Sequence, residues 1–257
     1  MQTTSTAVPQ SLSASAGNGV ISFDLFDRCP GWDQAQDWIL GVIDRYQCRN
    51  ILEIGSGANP TLSPSIIAGR RLRYVANDVD PEELTKADPV FDRWVGDIGQ
   101  GTPAHLKSRF ELVFSRMVNE HVADGRAYHS NIHELLAPGG LSAHCFSTLY
   151  SLPFVTNRLL PERVSDSILH LFDPRDRFKR AKFRAHYSWS RGPSRRMISK
   201  FEALGFEVVQ YVGYFGHGYY WRWPMVHRLE LRKARALVAR PVPALCSFAM
   251  LIARKRP

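Results

Sequence analysis

Glu53, Gly55 and Gly57 stand in the stretch ILEIGSGANP, residues 51–60. Two glycines behind an apolar run that carries a carboxylate let a backbone turn sharply and approach a nucleotide closely. Two more carboxylates follow, Asp78 in NDVDPEEL and Asp97 in WVGDIG. An acid about twenty residues beyond such a loop suits the two hydroxyls of a ribose. An acid placed like Asp97 can accept a hydrogen bond from an adenine amino group, and Ile98 can pack against the ring. A dinucleotide fingerprint needs a third glycine at position 60, where Pro60 stands, and no GxxxxGK[ST] stretch occurs. The first absence weakens a nicotinamide or flavin reading, and the second excludes a P-loop.

These residues need a frame. ILEIG, LRYVAND, FDRWVGD, RFELVFS and GLSAHCF are short β-rich runs. Between them lie helical patterns: TLSPSIIAG, expected to stop at Gly69, PEELTKA, and GRAYHSNIHELLA, stopped by PGG. Before them, GWDQAQDWILGVIDRYQ (31–47) spaces apolar residues by three and four, the pattern of an amphipathic helix. After them, RRMISKFEALG predicts a helix stopped by Gly205, and FEVVQYVGYFG and ALCSFAMLIARKR predict two more strands. Alternating strands and helices predict an α/β fold with a doubly wound parallel sheet, whose ligands lie outside the carboxyl ends of the strands. The glycine loop and the three acids mark such ends.

Taken together, LEIGSG, NDVDPEEL, VGDI, FELVFSRMVNEHV and IHELLAPGGL resemble the class I S-adenosylmethionine-dependent methyltransferases, near their small-molecule, type 11-like branch. The likeness covers roughly residues 48 to 147. It implies a Rossmann-like seven-stranded sheet with an antiparallel last strand, interrupted here by helical insertions, and S-adenosyl-L-methionine as cofactor. It places Glu53, Gly55, Ser56 and Gly57 along the donor's amino-acid part. Asp78 with Val79 falls at the ribose, Asp97 with Ile98 at the adenine, and Ser115 completes the cofactor set. The loop departs from the family at ANPTLSP: Pro60 is expected in the first helical turn, and Asn59 or Thr61 is expected to help hold the donor's carboxylate end.

Methyl transfer from a sulfonium is an in-line displacement, so the protein chiefly positions the reactants and excludes water. An oxygen acceptor also needs a base. The expected place is just after RFELVFS, where His121 is the first candidate; His186 and Tyr187, in FRAHYSW, are alternatives from the acceptor side. His144 reads as packed or near the ribose. A [DNS]PP[YF] stretch, which related nucleic-acid amino-methyltransferases use to hold a planar amine, is missing. Methylation of an exocyclic base amine is thereby disfavoured, and oxygen, then carbon, is the expected acceptor atom. No metal ligand set is expected: the four cysteines, Cys29, Cys48, Cys145 and Cys246, form no CxxC pair and read as reduced, buried thiols.

Charge separates the two ends of the chain. Residues 1–150 hold 12 Lys and Arg against 17 Asp and Glu, while residues 151–257 hold 21 against 7. The second half is therefore expected to meet something anionic: a phosphate, as on a phosphate-bearing or carrier-linked acceptor, a nucleic acid or a membrane surface. Residues 1–30 read as a disordered tail without a signal peptide, and 31–257 as one domain. Within it, 147–192 is expected to be a substrate cap, with Arg and Lys interleaved among aromatics in RDRFKRAKFRAHYSW. A second insertion, 216–243, pairs aromatics with a basic helix and invites peripheral contact with a membrane. No stretch is apolar enough to span one, so the expected location is cytoplasmic, extending to the inner membrane surface. The competing expectation is a catalytically silent module that binds nucleic acid or membrane through the basic half.

Overall fold

A computed structural model of the protein describes residues 19–149 and 184–257. In chain order the sheet begins with β1 (Ile21–Leu25); a helical turn (Pro30–Asp33) and α1 (Ala35–Tyr46) follow. The wound half then runs β2 (Asn50–Ile54), α2 (Pro64–Arg70), β3 (Arg73–Asp78), α3 (Pro81–Thr85), β4 (Asp92–Val95), β5 (Phe110–Arg116), α4 (Gly125–Leu135) and β6 (Leu136–Ser147). The chain closes with α5 (Arg195–Glu202), β7 (Phe206–Phe215), α6 (Pro224–Ala239) and β8 (Phe248–Lys255). The strand order is β1-β7-β8-β6-β5-β2-β3-β4. β8 is antiparallel to both neighbours, β6 and β7. This is the Rossmann-like arrangement expected from the sequence, with one strand more.

Each face of the sheet is covered because successive side chains point to opposite sides of a strand. Ile51, Leu112 and Phe114 join one core with Trp38, Ile39, Val42 and Ile43 of α1. Their neighbours Leu52 and Val113 join the other, with Tyr128, Ile132 and Leu135 of α4 and Met197 and Phe201 of α5. All four cysteines are free and buried.

Four local expectations need correction. The tail expected over 1–30 gives way to β1, which pairs in parallel with β7 from Ile21↔Tyr211 to Leu25↔Phe215. Its Phe23 stacks on Phe215 with ring centres 5.6 Å apart; a free sheet edge and this aromatic contact outweigh the weak local signal. With β1 on the edge, β7 is interior. The helix expected over 31–47 breaks at Gln34, so Trp32 belongs to the preceding turn. α2 ends not at Gly69 but after Arg70, with Arg71 in the left-handed region (φ +54°) and its N–H bonded to the Ala68 and Ile67 carbonyls. Pro64, not Pro60, occupies the first helical turn, behind Ser63. Most of the expected cap, and residues 1–18 of the tail, lie outside the described residues; the 216–243 insertion contains α6.

If β1 is docked through Phe23, Phe23→Ala should lower unfolding free energy in urea by about 2 kcal/mol. An unchanged midpoint would mean that the strand adds nothing to the sheet.

Candidate active site

The carboxyl ends of β2 to β5 surround a cavity of about 520 Å³, within the range of cofactor sites. Gly55, Asp78, Asp97 and Ile98 line one side, and Arg116, Val118 and His121 the side after β5. Tyr128 of α4 and His186 complete the wall.

The glycine loop can take its course only without side chains. Gly55 has φ +69°, and a Cβ there would collide with Cγ2 of Val118. Gly57 has φ +54°, and its N–H donates to Asp78 Oδ2 at 2.9 Å. The N–H of Asp80 donates to the other oxygen, Oδ1, at 3.0 Å. Asp78 thus ties the loop to β3. Each of its oxygens retains a second lone-pair direction, enough to accept from a ribose diol. Beside it, Val79 is exposed along the same wall.

Glu53 has a different task from the one its motif implied. Its carboxylate accepts from the Thr61 N–H at 2.9 Å, from the Thr61 hydroxyl and from the Tyr74 hydroxyl. It is buried and is not among the cavity-lining residues. Burial pushes its pKa up, and the Thr61 and Tyr74 hydrogen bonds, with the charge of Arg116, pull it back. Thr61, expected near the donor's carboxylate, is therefore committed to Glu53. Ser56 is also buried, bonded to the Asn77 carbonyl through N–H and hydroxyl.

At the end of β4, Asp97 Oδ1 accepts from the Gly99 N–H at 2.7 Å. The Ile98 carbonyl accepts from Nδ2 of Asn131 at 2.5 Å, so α4 holds this turn and the buried Ile98 side chain in place. An acid and an apolar surface stand together there, as recognition of an adenine requires.

The wall after β5 is organised by Glu120. Its backbone carbonyl accepts the N–H groups of His186 at 2.7 Å and Tyr187 at 2.9 Å. Its side chain accepts from the Ser147 hydroxyl at 2.9 Å. Burial pushes the Glu120 carboxyl up, and the charge of His121 and its bond to Ser147 oppose this. The docked segment is fastened again where the Gly125 N–H donates to Ser188 Oγ at 3.1 Å. His121 and His186 are thereby brought to one cavity. Tyr187 is not: it is buried, has φ +52° and does not line the cavity. His121 Nδ1 lies 3.3 Å from the Arg184 carbonyl. A carbonyl can only accept, so Nδ1 carries the proton of neutral His121 and Nε2 is the basic nitrogen.

Beneath the cavity lies a buried polar network. Ser115 is fully buried and lies outside the cavity wall. Its hydroxyl meets Asn119 Oδ1 at 3.2 Å, His144 Nδ1 at 2.7 Å and the Tyr128 hydroxyl at 3.3 Å. His144 Nε2 meets Ser142 Oγ at 2.6 Å, and Asn119 Nδ2 meets His129 Nε2 at 3.4 Å. One proton arrangement satisfies the set. Ser115 donates to Asn119 and accepts from Tyr128 and the Nδ1–H of His144, while Ser142 donates to Nε2. Both histidines are then neutral, in keeping with burial, which lowers His144 well below its ordinary range and His129 to about 3. His144 is packed, as one of its two sequence readings had it. Tyr128 was not found from sequence, because a tyrosine on the apolar face of a helix reads as core; only its three-dimensional reach brings it to the cavity.

Residues 52–143 match a family model described as a methyltransferase domain. None of the curated proteins matches the sequence. Among solved structures, the fold is similar to Haemonchus contortus phosphoethanolamine N-methyltransferase 2 in complex with S-adenosyl-L-methionine. The TM-score is 0.53 at 15% identity, covering 86% of this chain and 53% of that one. A second structure of that protein, with phosphomonomethylethanolamine and S-adenosylhomocysteine, gives a TM-score of 0.51 at 13% identity over 86% and 53%. The CMeT domain of the citrinin polyketide synthase gives 0.50 at 16% identity over 87% and 52%. The chain thus spans about half the length of these proteins.

The network makes stability depend on pH. His129 is neutral in the fold down to about 3, whereas in the unfolded chain it gains a proton below about 6.5. Its stabilising contribution is therefore complete above that value and is lost as pH falls toward 3. Replacing it by Gln, which keeps an acceptor for Asn119, should flatten the loss by as much as about 1.4 kcal/mol per pH unit in urea titrations between pH 6 and 4. An unaltered slope would remove His129 as the source.

Proposed function

We propose that this S-adenosylmethionine-dependent methyltransferase domain moves a methyl group to an oxygen, with carbon as second choice, of a small or carrier-linked acceptor that bears phosphate. One observation carries this reading. A single cavity joins the glycine loop, Asp78 and Asp97 to two histidines delivered by separate segments, His121 and His186. When bound, the donor supplies a methyl group already activated by its sulfonium charge. The remaining work belongs to the chain. Asp78 would hold the ribose hydroxyls, Asp97 and Ile98 would take the adenine, and Glu53 would act from below by fixing the loop. His121 Nε2 would accept the proton from an acceptor hydroxyl, and His186 would close the acceptor side. Arg116 is the single lysine or arginine lining the cavity among the described residues. It supports an anionic group there, as does the excess of 21 basic over 7 acidic residues beyond position 150.

Calorimetry should detect S-adenosylmethionine binding and none with NAD. Asp78→Ala should weaken the donor at least tenfold in a folded protein, because a charge-assisted hydrogen bond contributes about 1.5–3 kcal/mol. An unchanged dissociation constant would sink the ribose assignment.

His121→Ala should leave donor affinity nearly intact. With an acceptor found by screening phosphorylated alcohols against labelled donor, it should slow turnover by about 10²–10⁴. Near-normal turnover would move the base to His186.

A further inference from the structure

α6 has two apolar faces. One is spent on the fold: Ala234, Leu237 and Val238 pack with Phe215 and with Phe23 and Leu25 of β1. The other looks outward. Met225 is 78% and Leu229 63% exposed. They stand four residues apart, and Ala236 continues their line seven residues on, as one face of a helix requires. Trp221, also 63% exposed, extends the strip beyond the helix start. Arg228, Arg232 and Arg235 border the strip, each exposed.

The charge of this surface has one sign. Between residues 216 and 247 there are six basic side chains, Arg222, Arg228, Arg232, Lys233, Arg235 and Arg240, and one acid, Glu230. Glu230 is buried and held by Lys233 at 2.6 Å, so the segment shows no carboxylate to solvent. An isolated basic face would suit a nucleic acid equally. The outward methionine and leucine would not, since they offer phosphates nothing and remain in water. We infer that this face docks on an anionic lipid bilayer, with α6 lying in the headgroup plane, its apolar strip toward the acyl chains and its arginines on lipid phosphates. No helix among the described residues is long and apolar enough to cross a membrane, so the contact is peripheral.

Topology gives the contact a use. The chain leaves β7 at Phe215 and re-enters the sheet at Phe248, which pairs with Tyr214. The whole insertion therefore stands on the rim of the sheet where the strands to the cavity end. A docked bilayer would adjoin that rim, so a lipid-borne carrier could present its head to the cavity. This use rests on the proposed methyl transfer; the docking itself does not.

The test is co-sedimentation of the full chain with phosphatidylcholine vesicles, with and without one third phosphatidylglycerol, at low and high salt. Binding should need the anionic lipid and weaken with salt. Arg228→Gln with Arg232→Gln should weaken it more than tenfold, each basic residue contributing a factor of about five near an anionic leaflet. Met225→Asp with Leu229→Asp should do likewise, with the S-adenosylmethionine dissociation constant unchanged as evidence that the fold and donor site survive. Absence of binding to anionic vesicles at low salt overturns the inference. So does binding that ignores the Met225 and Leu229 changes and is displaced by single-stranded RNA, which would assign the face to nucleic acid. Loss of donor binding in the native protein, with vesicle binding intact, would instead count against the proposed reaction alone.

Discussion

The buried carboxylate of Glu53 is the contact on which the site depends. It stands at the end of β2, below a loop whose two glycines hold left-handed conformations. Such a loop has little of its own to hold it, since glycine loses more conformational freedom on ordering than any other residue. Glu53 supplies the anchor by accepting from Thr61, beyond the loop, and from Tyr74 on the neighbouring strand. Asp78 adds a second anchor at Gly57. The motif's acid thus fixes the loop from below. A buried carboxylate is tolerated because every hydrogen bond to it is donated from a rigid neighbour.

The same economy governs the opposite wall. Glu120 joins the turn after β5, the end of β6 and the segment carrying His186, using its carbonyl for one connection and its carboxyl for another. Below it, Ser115, Asn119, Tyr128, His129, Ser142 and His144 form a connected set of donors and acceptors. A network of this kind rigidifies a core only when all its members are satisfied. Here the tautomer that satisfies it leaves both buried histidines neutral, and the wall beside the cavity is held in a single arrangement.

Beyond this rigid centre, the segment between β7 and β8 spends its apolar residues twice, once on β1 and β7 and once on solvent. Single exposed apolar residues are ordinary on a protein surface. An aligned outward strip bordered by arginines is not required by the packing, since Ala234, Leu237 and Val238 already seat the helix.

Much of this was legible in the chain itself. The β-rich runs, the helices between them and the order of the acids after each strand follow from periodicity and turn chemistry, which are local properties. Asp78, Asp97 and Gly55 line one cavity because strand ends in a parallel sheet share one edge. What remained hidden was long-range. β1 is held by an edge and an aromatic partner nearly two hundred residues away, so its own sequence resembled the end of a tail. Glu53 and Ser115 look alike in a motif whether they face the cavity or the core; only the register of β2 and β5 against their neighbours turned them inward. Tyr187 and His186 are adjacent in sequence, yet one is buried and the other lines the cavity, because the backbone bonds to Glu120 set which way each side chain leaves the segment. Sequence determined which elements form and where their chemistry gathers; tertiary structure decided which side chains reach the cavity, because that depends on contacts between residues far apart along the chain.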